Sequence, residues 1–279
     1  MVDTPETPPA KRGRKPAADK PAADKPVKAK PAKTVITPEP VEAAPMNNNI
    51  ALTYPNGVPT PYYYTNPTMI GFTGGGGQTY GGNAEPVIMP VVGDWSAAPA
   101  YSQAYYDKTR EVAAPGYYSV YLDSFKTKVE LTATRWASLM QFSFPQSERS
   151  NILLNLLGHG GTVEVIDDHS IRGVSKGRES IDGRYFVAEF SRPFTQFGTF
   201  RRSPGDDRGW GIGNKDVAPA SRSIEGDYAG AYVTYQTRPG DKVLVRMAHG
   251  TSYEQATQRL RQELPGWDFA AVRAAARSA

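Results

Sequence analysis

In one stretch of the chain, residues 115–158, apolar and polar side chains alternate regularly, and this pattern predicts the secondary structure of the stretch. Apolar side chains occupy every second position in Tyr117–Leu122, and the same period returns in Val129–Thr134 and on toward Phe144. A period of two places such side chains on one face of a β-strand. The run Ile152–Leu157 is almost continuously apolar, which is typical of a central strand. Because short polar turns separate these segments, we predict four consecutive strands paired as an antiparallel meander.

Strand-like segments also occur on both sides of this meander. Five more have the same character, namely Val87–Val92, Thr162–Ile166, Tyr185–Phe190, Ala231–Tyr235 and Val243–Met247. Eight or more strands with no long helix between them predict a mostly β protein. We expect a large antiparallel β-sandwich (a supersandwich) made of two packed sheets.

Helical patterns occur only near the C-terminus. The sequence fits a capping box with Thr251 at the N-cap and Glu254 at N3 of a helix over Ser252–Leu264. Asp268 is the predicted N-cap of a second helix over Phe269–Ala279, which reaches the last residue without a C-cap. We therefore expect these helices to form a linker that is truncated.

The first 45 residues differ in composition from the rest of the chain. They contain nine Lys/Arg, six Asp/Glu and a tandem Ala-Ala-Asp-Lys-Pro repeat, so most of the net charge of +4 is concentrated there. Such a segment buries too little apolar surface to offset its ordering entropy, and we expect it to be disordered. Lys11–Pro16 resembles an AT-hook, but we favour a solvated linker over DNA contact. The chain thus divides into a disordered tail (1–45), a β-sandwich domain (46–250) and a truncated helical linker (251–279).

Composition excludes several classes of protein. The chain of 279 residues has no cysteine, so neither disulfides nor thiolate metal sites are possible. No apolar run is long enough to cross a bilayer. No apolar stretch follows the N-terminal charges as it does in a secretory signal. We expect no membrane association, and these features favour no particular compartment.

Candidate catalytic carboxylates come in three pairs, Asp167/Asp168, Asp206/Asp207 and Glu225/Asp227. All three pairs lie in turn-like sequence, where acids most often form solvated turns, and we assign no catalytic residue. Asp167, Asp168 and His169 combine ligand types that suit a metal ion. Because adjacent residues rarely converge on one ion, we favour a surface turn and predict no metal site.

Several ordered blocks of the sequence resemble one family of enzymes. Ala113–Val120 and Val129–Thr134 are very similar to the "SPGYYSV…ELTAT" signature of family 92 glycoside hydrolases, and Phe144-Pro145 follows in the order of the family. Residues 254–269 resemble the helical linker that leaves the N-terminal domain of that family. The likeness covers roughly Tyr62 to Ala279, which corresponds to essentially the whole of that domain.

The resemblance implies a fold and an activity. The members are calcium-dependent α-mannosidases, many of the α-1,2 type, in which a β-sandwich packs on an (α/α)6 barrel. The barrel holds the catalytic carboxylates and most calcium ligands, and its residues have no counterpart here, so we expect this chain alone to bind no cofactor and to hydrolyse nothing. A His-containing loop of the family is also replaced by Gly74–Gly77, so both of its histidines are absent.

Aromatic side chains are the candidate sugar contacts, because an aromatic face can pack on the C–H face of a pyranose. Tyr63 and Tyr64 match an aromatic loop beside the sugar site of the family, and Trp210 lies in a Gly-rich loop sequence. We predict these three residues to bind carbohydrate, with local packing as the open alternative for each. Trp136 is predicted to face the core of the meander, and Trp267 to anchor the linker.

These inferences give one functional interpretation and two alternatives. The first is a carbohydrate-binding or scaffold β-sandwich of a family 92-like α-mannosidase. Its partners would be a mannose-containing glycan and a separate (α/α)6 catalytic chain. The alternatives are a structural remnant of a truncated or split gene, and a nucleic-acid-binding protein acting through its basic tail. We do not expect nucleic acid to be the partner.

Overall fold

The structure is a computed structural model that describes residues 50–53, 68–69, 71–74, 86–95, 104–156, 160–176, 184–202 and 215–278. The predicted disordered tail lies outside these residues. The described strands form two large sheets and one two-stranded pair. The predicted antiparallel architecture of two sheets is confirmed, and among the described residues α-helices occur only near the C-terminus.

Seven strands make the smaller of the two large sheets. Their spatial order is β1 (Ile50–Thr53), β3 (Gly71–Gly74), β4 (Val87–Val92), β10 (Ser147–Asn155), β17 (Gly230–Thr237), β14 (Gln196–Arg202) and β15 (Lys215–Pro219). The pairings within it are antiparallel. The apolar strand β10 lies at the centre, as the unbroken run Ile152–Leu157 predicts.

Nine strands make the larger sheet. Their spatial order is β16 (Ser223–Glu225), β11 (Gly161–Val165), β12 (Ser170–Ser175), β13 (Arg184–Phe190), β18 (Lys242–Gly250), β9 (Ala137–Ser143), β8 (Thr127–Ala133), β7 (Tyr117–Leu122) and β6 (Val112–Ala114). The separate pair joins β2 (Thr68–Met69) to β5 (Ala104–Tyr105), and a 3-10 helix spans Lys108–Arg110.

The predicted four-stranded meander is wrong in its last strand. Strands β7, β8 and β9 pair in sequence, but β10 leaves for the seven-stranded sheet. The free edge of β9 is instead paired with β18, a strand about 100 residues later in the chain. The chain crosses between the sheets at Phe144-Pro145, where Phe144 is bound to the turn at Gly240 and Asp241. A pairing between strands so distant in sequence leaves no local pattern.

The two sheets pack face to face through aromatic and aliphatic side chains. Phe72 of β3 contacts the ring of Tyr118 in β7 with centroids 6.4 Å apart. Phe194 contacts both Phe190, at the end of β13, and Tyr235 of β17. We call this layer the inter-sheet core, and Met140 and Phe142 of β9 are fully buried in it.

Two helices cover the outer face of the nine-stranded sheet. Helix α1 spans Tyr253–Glu263 and packs on β18, β13 and β9, whereas α2 spans Phe269–Ser278 and packs on β7, β8 and β9. A second apolar layer, the helix-covered cluster, lies beneath α1. Its buried members are Ala137, Leu139, Val187 and Ala248 of the sheet and Ala256, Leu260 and Leu264 of the helical segment.

The helix boundaries refine the predicted caps. The N-cap of α1 is Ser252, whose hydroxyl accepts from the backbone N–H of Gln255. The predicted cap, Thr251, is one residue too early, and its N–H donates instead to the side chain of Gln255. The predicted cap of α2 is confirmed, since Asp268 accepts from the N–H of Ala271. A side-chain oxygen at each start satisfies a backbone donor that the helix leaves unpaired.

Candidate functional site

The three predicted sugar contacts, Tyr63, Tyr64 and Trp210, lie outside the described residues. The strands that flank them do not end at the same place. Residues 203–214 are flanked by β14 and β15, which end together beside Arg202 and Lys215. Residues 54–67 lie between β1 and β2 in the sequence. Strand β1 is one edge of the seven-stranded sheet, and β15 is the other edge. The proposed roles of these residues stay predictions.

Four pairs of consecutive strands, β3/β4, β10/β11, β12/β13 and β14/β15, end at the same end of the sandwich. We call it the loop end, and it is the end at which β8 stops and β9 begins. By register, the strands that flank residues 75–85, 157–159, 177–183 and 203–214 all end there. Functional residues concentrate on segments that a rigid sheet positions. The loop end is therefore the candidate functional surface.

Trp136 lies at this end, and the structure corrects its predicted position. The tryptophan is 43% exposed because it belongs to the three-residue turn between β8 and β9 rather than to the buried face of a strand. The guanidinium of Arg259 lies 4.0 Å from the centroid of its ring, and that of Arg135 lies 5.1 Å away. The backbone N–H of Trp136 donates to the carboxylate of Glu263 at 2.8 Å. Sequence reasoning missed this residue because position 136 is in phase with the apolar positions Met140 and Phe142 of β9.

A polar cluster occupies the outer face of the nine-stranded sheet near α2. Glu130 accepts hydrogen bonds from the hydroxyl of Tyr117 at 2.8 Å and the amide of Gln141 at 2.7 Å, and it pairs with Lys128 at 3.0 Å. Burial raises the pKa of Glu130, but these donors and the lysine charge outweigh that effect and hold the pKa below its usual value. The carboxylate is held in its ionised form and each of its oxygens has a partner, which indicates a structural role.

The candidate metal trio is an exposed turn at the other end of the sandwich. Asp167 accepts from the N–H of His169 at 2.8 Å and from the hydroxyl of Ser170 at 2.7 Å, the pattern of an Asx-turn. Burial raises the pKa of Asp167, and these hydrogen bonds outweigh it and lower the pKa. The ligand atoms of Asp167, Asp168 and His169 lie within 4.8 Å of one another.

These three residues do not match the requirements of calcium. Calcium takes six to eight oxygen ligands, whereas the trio offers two carboxylates and an imidazole. One of the two carboxylates, Asp167, is already engaged by the turn, and Asp168 lies 2.6 Å from the imidazole of His169. The three residues therefore stabilise a turn, and their donor set does not suit calcium.

The other candidate carboxylates divide between described and undescribed residues. Glu225 ends β16 and pairs with Lys176 at 3.3 Å, with both side chains exposed. Asp227 lies in the following turn beside Gly160. Asp206 and Asp207 lie outside the described residues. Within the part of the chain that the structure describes, no helix is long and apolar enough to span a membrane.

Comparison with solved structures shows where this architecture occurs. An inverting mannosidase of family 92 from Bacteroides thetaiotaomicron matches with a TM-score of 0.66 and 22% identity, over 77% of this chain and 28% of its own. A family 92 α-mannosidase from the same organism matches with a TM-score of 0.67 and 21% identity, over 82% and 33%. The family 92 glycosyl hydrolase ccman5 matches with a TM-score of 0.64 and 22% identity, over 84% and 34%. The likeness establishes the fold, and the chain spans about a third of the length of each structure.

Comparison with sequences gives the family itself. No curated protein matches the chain significantly. The model of the glycosyl hydrolase family 92 N-terminal domain matches residues 41–250, which is most of the chain. That range contains both sheets and ends at Gly250, the last residue of β18. The chain therefore belongs to glycosyl hydrolase family 92, through the N-terminal domain of that family.

Proposed function

We propose that this chain is a glycan-facing scaffold domain of a family 92-type α-mannosidase that does not hydrolyse glycosides by itself. The match of residues 41–250 to the N-terminal domain of the family is the observation that carries the proposal. The matching solved structures are mannosidases, and the match covers only 28% and 33% of their own chains. A mannose-containing glycan is accordingly the proposed ligand.

The environment of the described carboxylates supports the non-hydrolytic part of the proposal. An inverting glycosidase needs an acid with a raised pKa and a base about 6.5–9.5 Å away across the sugar. The pKa of Asp167 and the pKa of Glu130 are both lowered, and both carboxylates accept several hydrogen bonds. Groups held in the ionised form in this way are poor general acids.

The proposed complete enzyme needs a catalytic partner. We propose that an (α/α)6 domain, as a separate chain or in covalent linkage, supplies the acid, the base and the calcium ligands. The sandwich would contribute Tyr63, Tyr64 and Trp210 to the glycan surface. Stacking of aromatic faces on sugar C–H groups is the contact expected of these side chains.

A binding experiment tests the glycan-facing role. The full chain is applied to an array of α-linked mannosides, beside a triple variant with Tyr63→Ala, Tyr64→Ala and Trp210→Ala. We expect the wild type to bind and the triple variant to lose at least about tenfold in affinity, since stacked rings make favourable contacts. Tyr105→Ala is the matched control, because Tyr105 is 61% exposed on the separate strand pair. Wild-type chain that binds no mannoside would refute the proposal.

An activity experiment tests the non-hydrolytic role. The full chain is incubated with α-1,2-mannobiose and calcium, and free mannose is measured over several days. We expect release at the rate of the buffer alone. Release that scales with protein concentration, and that is lost in an Asp206→Asn, Asp207→Asn variant, would show that the chain has its own catalytic pair.

A further inference from the structure

We propose that residues 251–278 are a fixed third layer of the sandwich domain, latched to the sheet by Arg246, rather than a flexible linker. The family match ends at Gly250, but the helices belong to the same compact unit as the two sheets. The apolar faces of α1 and of the sheet are complementary. Ala256, Leu260 and Leu264 recur at a spacing of four and are all fully buried, so they form one stripe against the sheet.

Arg246 joins three separate parts of the structure through one guanidinium. It lies on β18 and donates twice to the carboxylate of Glu189 in β13, at 2.9 and 2.6 Å. It also donates to the carbonyl oxygen of Leu264, the C-cap residue of α1. The same guanidinium lies 4.6 Å from the ring centroid of Trp267, at the start of the path to α2.

The position of this contact makes it a latch for both helices. The carbonyl oxygens at a helix C-terminus lack intrahelical partners and carry partial negative charge, so a cation placed there is favourable. The side chain of Arg246 is only 13% exposed, and a charge-assisted hydrogen bond is stronger where water is excluded. Arg246 therefore holds the joint between α1 and α2 at the surface of the sheet.

Two further contacts keep the helices against the sheet at the loop end. The carboxylate of Glu263 accepts from the hydroxyl of Thr134 and the N–H of Trp136, both in the turn between β8 and β9. In α2, Arg273 lies 3.5 Å from the ring centroid of Tyr117, and Phe269 makes an edge contact with the same ring. Both helices are thus tied to the sheet by polar or aromatic contacts.

Hydrogen exchange of the full chain, read by mass spectrometry, tests this proposal. A ten-residue helix is too short to be stable alone in water, so protection of α2 amides reports docking on the sheet. We expect the peptide covering residues 267–278 to exchange at least about a hundredfold more slowly than an unstructured peptide, as parts of a cooperative unit do. Exchange of that peptide at the unstructured rate would show a flexible linker and overturn the proposal.

Point variants test the latch itself. Arg246→Met keeps the bulk of the side chain and removes its donors, and we expect at least about a tenfold loss of α2 protection with the strands β7, β8 and β9 unchanged. Trp267→Ala is a second variant, to be used if Arg246→Met fails to fold. It removes the ring stacked on Arg246 and leaves Glu189 paired, and we expect it also to lower α2 protection. Unchanged α2 protection in either folded variant would contradict the latch.

Arg172→Met is the matched control. Arg172 also pairs with a glutamate, Glu164, at 2.7 Å and lies 4.5 Å from the ring centroid of Tyr253 in α1. It contacts the first turn of α1 and not the joint with α2. We expect α2 protection to stay within about twofold of wild type in this variant. If Arg172→Met lost as much α2 protection as Arg246→Met, removal of any arginine on this face would explain the effect, and the latch would be contradicted.

Discussion

Strand β9, near the centre of the nine-stranded sheet, is buried on both faces. The two apolar layers that cover it differ in their composition and in their polar contacts. The inter-sheet core is made of large side chains from both sheets, such as Phe142 and Tyr235. The helix-covered cluster is smaller, and polar contacts of Arg246, Glu263 and Glu130 surround it. Apolar area drives both layers, and in the second layer hydrogen bonds from the side chains of Arg246 and Thr134 also fix the orientation of the helices that cover it.

The largest expected difference between the layers comes from removing a core aromatic ring. Phe142→Ala leaves a cavity where neighbours from both sheets meet, and we expect the free energy of unfolding to fall by about 4 kcal/mol. Chemical denaturation of the full chain measures it. A loss below about 1 kcal/mol would show that the inter-sheet core is less tightly packed than its burial indicates.

A matched change in the helix-covered cluster should cost somewhat less. Leu260→Ala removes the central apolar side chain of α1, and we expect a loss of about 3 kcal/mol in the free energy of unfolding. Gln258→Ala, at an exposed position of the same helix, should change it by less than about 0.5 kcal/mol. If Leu260→Ala changed the free energy of unfolding as little as Gln258→Ala does, α1 would not be part of the cooperative unit.

A pair of glycine variants separates backbone strain from helix docking. Gly116 and Gly93 both have positive φ, of 76° and 92°, so alanine costs backbone strain of about 1 kcal/mol at either position. At Gly116 an added Cβ would also lie 2.9 Å from the backbone of Ala276 in α2, whereas at Gly93 it meets nothing within 4 Å. We expect Gly116→Ala to lower stability by about 2 kcal/mol and Gly93→Ala by about half of that. Thermal or chemical denaturation compares them, and equal losses would mean that α2 moves away freely.

The smallest expected effect is a dependence of stability on pH at the border of the helix-covered cluster. The pKa of Glu130 is lowered on folding, so its contribution is present above the unfolded pKa and is lost as pH falls through the folded pKa. Glu130→Gln should therefore be less stable than wild type at neutral pH, and the difference should shrink in acid. Denaturation curves at several pH values measure it, with the exposed Glu148→Gln as the control. If the stability difference between wild type and Glu130→Gln did not change with pH, it would come from packing and not from the charge of Glu130.

Much of the fold could be predicted from local patterns because each strand carries its own period. The alternation in Tyr117–Leu122 and Val129–Thr134 predicted β7 and β8 well. Strand β12 was missed because Ser170–Ser175 mixes small and polar residues, and tertiary context overrides such weak propensity. Trp136 was predicted to face the core because it is in phase with Met140 and Phe142 of β9, although it lies in the three-residue turn before that strand. The candidate sugar contacts are loop residues, for which periodicity gives no position.

By itself the sequence determined the class of the protein: many antiparallel strands, two capped helices at the end and blocks that resemble family 92. These features are local, since they rest on period, turn residues and caps within a few positions. Only the tertiary structure decided the rest. It pairs β9 with β18, sends β10 to the other sheet, exposes Trp136 and lays the two helices over Leu139. The reason is physical: apolar residues on both faces of β9 demand two covers, but the partners that supply them are distant in the chain.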